Sequence, residues 1–179
     1  MPLQKYQIIY ADPPWSYRDN KRDVNDRRAG RASNHYATMA TADIAALPVA
    51  DWIDANCMLF MWATFPNIAA ALDVIKAWGF VYKTLGFSWI KTNPKSGTPF
   101  FGIGYYTKSN CEVCLIGVKG RPIKVSNAVS SVVIDPIRRH SQKPDVVRDR
   151  IVQLCGDIPR LEMFARNETP GWDTWGNGV

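Results

Sequence analysis

The chain has 179 residues, 46% of them hydrophobic and 21% charged, with a formal net charge of +6. This is enough for one well-buried core with the composition of an ordinary globule, so a single domain over residues 1–179 is expected. No apolar run approaches the ~20 residues that cross a bilayer, Met1–Tyr6 lacks a secretory stretch and four cysteines are too few for a disulfide scaffold; a cytoplasmic protein without membrane contact is the expectation.

The first predicted element is a strand over Tyr6–Tyr10, which is rich in β-branched and aromatic residues. It runs into Asp12-Pro13-Pro14-Trp15. Two prolines deny the strand any continuation as helix or central strand, so a carboxylate and an indole are held rigidly at its C-terminal edge. In open α/β sheets, ligands bind outside that edge. A carboxylate and a carbonyl so held, from Asp12 and Pro13, can accept hydrogen bonds from both hydrogens of an aromatic amine such as adenine's, while Trp15 or another aromatic stacks on the base. Asp12, Pro13, Pro14 and Trp15 are therefore the candidate catalytic residues.

Between Tyr17 and His35 lie Arg18, Lys21, Arg22, Arg27, Arg28 and Arg31 against Asp19, Asp23 and Asp26, with almost nothing apolar among them. Such a stretch cannot bury itself. It reads as a loop that meets phosphates and orders over the site when substrate arrives, which makes Arg18, Arg22, Arg27 and Arg28 candidate substrate-binding residues. The positive net charge also points to a polyanionic partner.

Thr41–Leu47 reads as a short helix with Thr41 as N-cap and Asp43 in its first turn. Cys57–Trp62 is an unbroken apolar run, as expected of a strand buried on both faces of a mostly parallel sheet. Pro66 opens a second helix in which Ile68, Ala71, Leu72, Ile75 and Trp78 recur at helical spacing until Gly79 stops it. Val81–Ile90 is another strand. The loop Lys91–Tyr106, rich in Gly, Pro and aromatics, is too long to be idle in a compact domain. Residues 111–118 give a buried strand, on which Cys111 and Cys114 face opposite sides. With only His35 and His140 as further soft ligands, no metal site is expected. A short strand Val132–Ile134, a helix over Pro144–Leu154 and a last strand Arg160–Phe164 complete the alternation. It predicts a doubly wound, mostly parallel α/β sheet of Rossmann type.

Eight blocks follow one another in the order seen in a known family. They are Asp12–Trp15, His35–Met39, Leu59–Trp62, Trp89–Asn93, Cys114–Gly120, His140–Asp145, Glu162–Arg166 and Trp172–Asn177. The chain resembles the MT-A70-like adenine-N6 methyltransferases over residues 6–178, in the manner of a small prokaryotic or phage member. The resemblance implies S-adenosylmethionine as the methyl donor and adenine in DNA as the acceptor. RNA adenosine methylation and a catalytically silent nucleic-acid-binding subunit are the alternatives. It further implies that Lys143 meets the donor's methionine carboxylate, that Arg166 and Asn177 bind its ribose, and that Asp12 and Phe164 border the same pocket. Tyr36, Lys91 and Asn93 fall on the substrate side, whereas Trp62, in mid-strand, reads as core packing. The family's usual glycine beside the arginine is here Ala165, and Gly178 stands where longer relatives carry an amide. No target-recognition domain can be read from the chain, so a partner subunit could supply it, and the oligomeric state is open.

Overall fold

The structure, a computed structural model, describes residues 5–16, 38–104, 106–139 and 142–176. The predicted basic loop and Tyr36 lie outside the described residues, as does Asn177. In chain order the elements are β1 (Tyr6–Ala11), α1 (Thr41–Ala45), β2 (Ile53–Ala63), α2 (Ile68–Ala77), β3 (Val81–Thr92), β4 (Glu112–Lys119), β5 (Val132–Pro136), α3 (Val146–Cys155), β6 (Arg160–Met163) and β7 (Asp173–Trp175).

The seven strands form one sheet in the order β5-β3-β4-β2-β1-β6-β7. Neighbours are parallel except at β4, which runs antiparallel to both β2 and β3. The prediction of a mostly parallel sheet holds. The inverted strand was not legible, because an apolar run carries no direction.

Strand alternation sorts the core into two layers. On β1, Ile9 and Ala11 join one apolar cluster with Ile44 of α1 and Ala71, Val74 and Ile75 of α2. Ile8 and Tyr10 join the other, with Val147, Ile151 and Cys155 of α3. Helices thus cover both faces, as a doubly wound sheet requires. In β2 all residues from Cys57 to Ala63 are buried. That explains the unbroken apolar run, since a central strand covered on both sides has no solvent face to keep polar.

Several boundaries differ from expectation for local reasons. Ala40, not Thr41, occupies the N-cap position of α1, and no side-chain cap bond is made. Pro66 lies in a 3-10 turn, Phe65–Asn67, that precedes α2. Gly79 ends that helix at φ +83° as expected. The strand predicted to run through Phe164 stops at Met163 because Phe164 turns to φ +62°, a left-handed conformation rare for a bulky residue. It is also not the last strand. β7 is three residues long, too short to announce itself by pattern.

β1 and β6 lie side by side and parallel, yet the chain leaves β1 toward β2 on one flank and leaves β6 toward β7 on the other. The C-terminal ends of these two strands therefore flank a topological switch point, where open α/β sheets leave a crevice. Asp12 follows the one strand and Phe164 the other.

Candidate active site

Asp12 stands at the mouth of this crevice, its backbone N–H 3.5 Å from the Met163 carbonyl oxygen of the neighbouring strand end. The turn that carries it is tightly held. Trp15 N–H donates to the Pro13 carbonyl at 2.8 Å, and Met39 N–H to the Pro14 carbonyl at 2.9 Å. The Trp15 indole N–H donates to the Trp62 carbonyl at 3.0 Å. Trp15 is only 6% exposed. This corrects the expectation that Trp15 stacks on a base, because its ring is committed to the core as the brace of the Asp12 turn.

The Asp12 carboxylate is not isolated. Lys143 Nζ lies 2.8 Å from Asp12 Oδ2 and 3.3 Å from Glu112 Oε2, and Lys91 Nζ lies 2.5 Å from Glu112 Oε1. Two acids and two cations thus alternate along the sheet edge as Lys91–Glu112–Lys143–Asp12. The Lys143 side chain is 8% exposed, against 24% for Asp12 and 19% for Lys91, so the row is driest at Lys143 and opens toward solvent at both ends. Lys143 also sits 5.7 Å from the centre of the Trp62 ring.

Burial and charge set the protonation of this row. Burial raises the Asp12 carboxyl above its ordinary range, and Lys143 offsets only part of the effect; Glu112 adds to the rise, while Arg166 opposes it. For Glu112 burial also pushes upward, but Lys143 and Lys91 together outweigh it and leave the group lowered. Burial alone would lower Lys143, yet its two carboxylate partners raise it, so it stays charged. The acid of the Asp12 turn is thus held beside a permanent cation in a partly dry site.

A second polar column stands behind the first. Arg148 in α3 grips Glu162 of β6 through two nitrogens, at 2.7 and 2.6 Å, and lies 5.7 Å over the Tyr10 ring. The Tyr10 hydroxyl accepts the Trp62 indole N–H at 2.7 Å. This column ties α3 to β6 and β1, and it fixes the segment just before α3 that carries Lys143.

On the β6 flank, the Phe164 ring meets Trp175 edge-on, with centroids 5.3 Å apart. Ala165 N–H donates to the Trp175 carbonyl at 3.2 Å. A Cβ at Gly176 would land on the Ala165 carbonyl oxygen and 2.7 Å from its nitrogen, so only glycine lets β7 close against this turn. Arg166 is exposed, and its charge reaches Asp12. A cavity of about 410 Å³ beside α3, lined by Asp145, Arg148, Arg160 and Trp172 among others, includes none of Asp12, Lys143 or Arg166 and is separate from the crevice.

The structure therefore gathers Asp12, Lys143, Phe164 and Arg166 at one edge. Two substrate-side expectations change. Asn93 spends its side-chain amide on Thr98 and Pro99, closing a tight turn at distances of 3.1–3.2 Å. Lys91 is engaged with Glu112 and so is a charge partner of the row. Glu112 was missed in the sequence. Its one signal is an acid placed just before the uncharged run Val113–Val118 of β4.

Comparison with known proteins gives the same location a family. The MT-A70 family model matches residues 6–178. A type II methyltransferase, M.MunI of Mycoplasma sp, is 35% identical, with 98% of this chain and 78% of that protein aligned. An N(6)-adenosine-methyltransferase MT-A70-like protein of Drosophila melanogaster is 29% identical, and the human N(6)-adenosine-methyltransferase catalytic subunit METTL3 27%. The chain spans only 27% and 28% of the length of those two relatives. A carboxylate set at the switch point by two prolines and a buried indole, within a match that runs the length of the sheet, settles the affiliation: this chain is a methyltransferase of the MT-A70 family.

Proposed function

We propose that the protein methylates the exocyclic amine of adenine in DNA, with S-adenosylmethionine as the donor. The observation that carries this reading is the half-open Asp12 carboxylate at the β1/β6 crevice, paired on one side with Lys143. The bacterial type II methyltransferase, matched over most of its own length, favours DNA as the acceptor.

The donor set suits the cofactor. Its methionine end is a zwitterion beside a sulfonium, and the crevice edge holds two cations, Lys143 and Arg166, beside the acids Asp12 and Glu112. In this reading Lys143 and Arg166 face the donor's anionic and hydroxyl groups and Phe164 borders it, with Asn177, outside the described residues, adding to the ribose contacts. When bound, the cofactor supplies an electrophilic methyl group.

The protein's own part is orientation. The lone pair of adenine's amine is delocalised into the ring, and a hydrogen bond at each amine hydrogen re-aims it. Lys143 engages Asp12 Oδ2; the other oxygen, Oδ1, accepts from one amine hydrogen. The Pro13 carbonyl gives one lone pair to Trp15 N–H and uses its second for the other amine hydrogen. Orientation of this kind would contribute up to on the order of 7–11 kcal/mol of the barrier lowering, and Asp12 and Pro13 are the residues that would supply it by fixing the amine. As positive charge builds on the nitrogen, Asp12 stabilises it, and the extra proton passes to solvent water after transfer. The rise that burial gives the Asp12 carboxyl fits this role, since a more basic carboxylate accepts the stronger bond.

The test is nucleoside mass spectrometry of plasmid DNA and of bulk RNA after incubation with the pure protein and isotope-labelled donor. Label in N6-methyladenine from DNA is expected for the native protein and absent for Asp12→Ala. Label only in RNA would move the acceptor, and undiminished label with Asp12→Ala would remove Asp12 from the chemistry.

A further inference from the structure

Residues 93–111 leave β3 and return into β4 at the same sheet edge as Asp12. Their outer part is a short hairpin. Thr92 pairs with Pro99 and Gly102 with Ser109, both antiparallel, and the second pair exchanges backbone bonds of 2.6 and 3.1 Å. The root is pinned by one side chain. Asn110 accepts from Lys91 N–H at 3.1 Å and donates to the Lys91 carbonyl at 2.9 Å and to the Phe100 carbonyl. Lys91 in turn is bound to Glu112 and through it to Lys143 and Asp12. The hairpin is thus rigidly coupled to the acid–cation row.

Its tip has the wrong chemistry for a solvated loop. Ile103 is 93% exposed and Tyr106 fully so, with Phe101 more than half exposed. Lys108 stands 5.8 Å from the Phe101 ring, and residues 93–110 contain Lys95 and Lys108 but no acid. A single exposed apolar side chain means little. Two at the tip of a braced, acid-free, lysine-bearing hairpin beside a nucleobase site fit a polyanion whose interior is apolar, which describes stacked bases between phosphate strands.

The proposed reaction has a need that such a tip meets. An adenine inside a duplex must leave the stack before Asp12 can reach its amine, at a cost of a few kcal/mol. Apolar wedges inserted between base steps are one way proteins unstack and kink a duplex. The hairpin extends about three residues beyond its root, roughly 10 Å at strand spacing, enough for Ile103 to enter a groove while Asp12 holds the displaced base.

We propose that residues 99–104 and 106–110 form a duplex-opening wedge: Ile103 and Tyr106 fill the gap left by the extruded adenine, and Lys108 lies on the phosphate backbone. The proposal rests on the reading that duplex DNA is the substrate. It is tested with the whole chain carrying Ile103→Ser and Tyr106→Ser together, assayed on one plasmid DNA in native and heat-denatured form. The double variant should lose at least about tenfold in kcat/KM on native DNA, and should stay within about twofold of the native protein on denatured DNA, where no stack has to be opened. Equal losses on both forms, or no loss on either, would overturn the proposal. A readout independent of methyl transfer separates its failure from that of the proposed function. Closed circular plasmid relaxed by a topoisomerase in the presence of the native protein should show a shifted linking number, and the double variant should not shift it. No shift with the native protein overturns the wedge even if DNA is methylated, whereas a shift without methylation leaves the wedge standing and sinks the function. Dissociation of a protein oligomer by the two substitutions, seen in sedimentation, would assign the tip to a protein partner and likewise overturn the wedge.

Discussion

Replacing Lys143 by methionine removes the cation between Asp12 and Glu112 and keeps its volume. At 2.8 and 3.3 Å, and with an effective dielectric of about 20, its two attractions are worth roughly 6 and 5 kcal/mol gross. Much of that is cancelled by the cost of drying an ammonium. Breaking a buried pair from one side costs about 3–5 kcal/mol net; here the uncompensated charge is that of Asp12, because Glu112 keeps Lys91 at 2.5 Å. Asp12 is partly open to solvent, which favours the lower end. In a chain of this size the melting temperature should fall by roughly 6–20 °C. The pH dependence is diagnostic. In the native protein Glu112 is lowered, so its contribution is present above the unfolded pKa and is lost as pH falls through the folded value. Without Lys143, two neighbouring carboxylates face each other and both folded pKa values move up, that of Asp12 further above its ordinary range and that of Glu112 against the remaining pull of Lys91. The contribution of Asp12 then holds at low pH and is lost as pH climbs. The gap between native protein and variant in urea unfolding should therefore widen by at least ~1.4 kcal/mol between about pH 5 and about pH 8. Adding Asp12→Asn to Lys143→Met should recover a good part of the loss. A deficit below ~1 kcal/mol at about pH 8, or one that does not change with pH, would refute the view that Lys143 lets two acids share this edge.

Three further outcomes follow from the same site. Trp15→Phe leaves the buried Trp62 carbonyl without its indole donor and should cost about 1–3 kcal/mol in urea unfolding; a neutral result would mean the Asp12 turn does not need its brace. At Phe164, glycine should be more stable than alanine by about 1 kcal/mol, because both lose the Trp175 contact but only alanine keeps the left-handed strain; equal denaturation midpoints would contradict this. Gly176→Ala pushes a methyl group onto the Ala165 backbone and should lower stability by about 2 kcal/mol or more, and a melting curve unchanged from the native one would show that the β7 turn has room to move.

What the sequence made legible was set by periodicity and by proline. The Asp12-Pro13-Pro14-Trp15 turn was found because two imino acids after an apolar strand leave few alternatives. β2 and α2 were found because burial on two faces and on one face write different patterns. Glu112 was invisible for the opposite reason. It lies in a strand that is mostly apolar, and its role comes from two lysines distant in the chain, Lys91 and Lys143, that only the folded sheet brings to it. The role of Trp15 was misread because an indole next to a ligand edge looks the same in sequence whether its N–H faces a base or the Trp62 carbonyl. The Phe164 turn was hidden too, since a bulky residue at positive φ obeys its neighbours Trp175 and Gly176 and not its own preference.

The inverted direction of β4 has an evolutionary corollary. A crossover between two parallel neighbours would carry the chain back beneath the sheet, whereas this reversal keeps everything between β3 and β4 above the reactive edge. Length and composition there can vary without disturbing a single register in the framework below. One architecture can in this way keep its methyl-transfer machinery fixed while exchanging the appendage that probes the polymer, much as a tool holder accepts different bits.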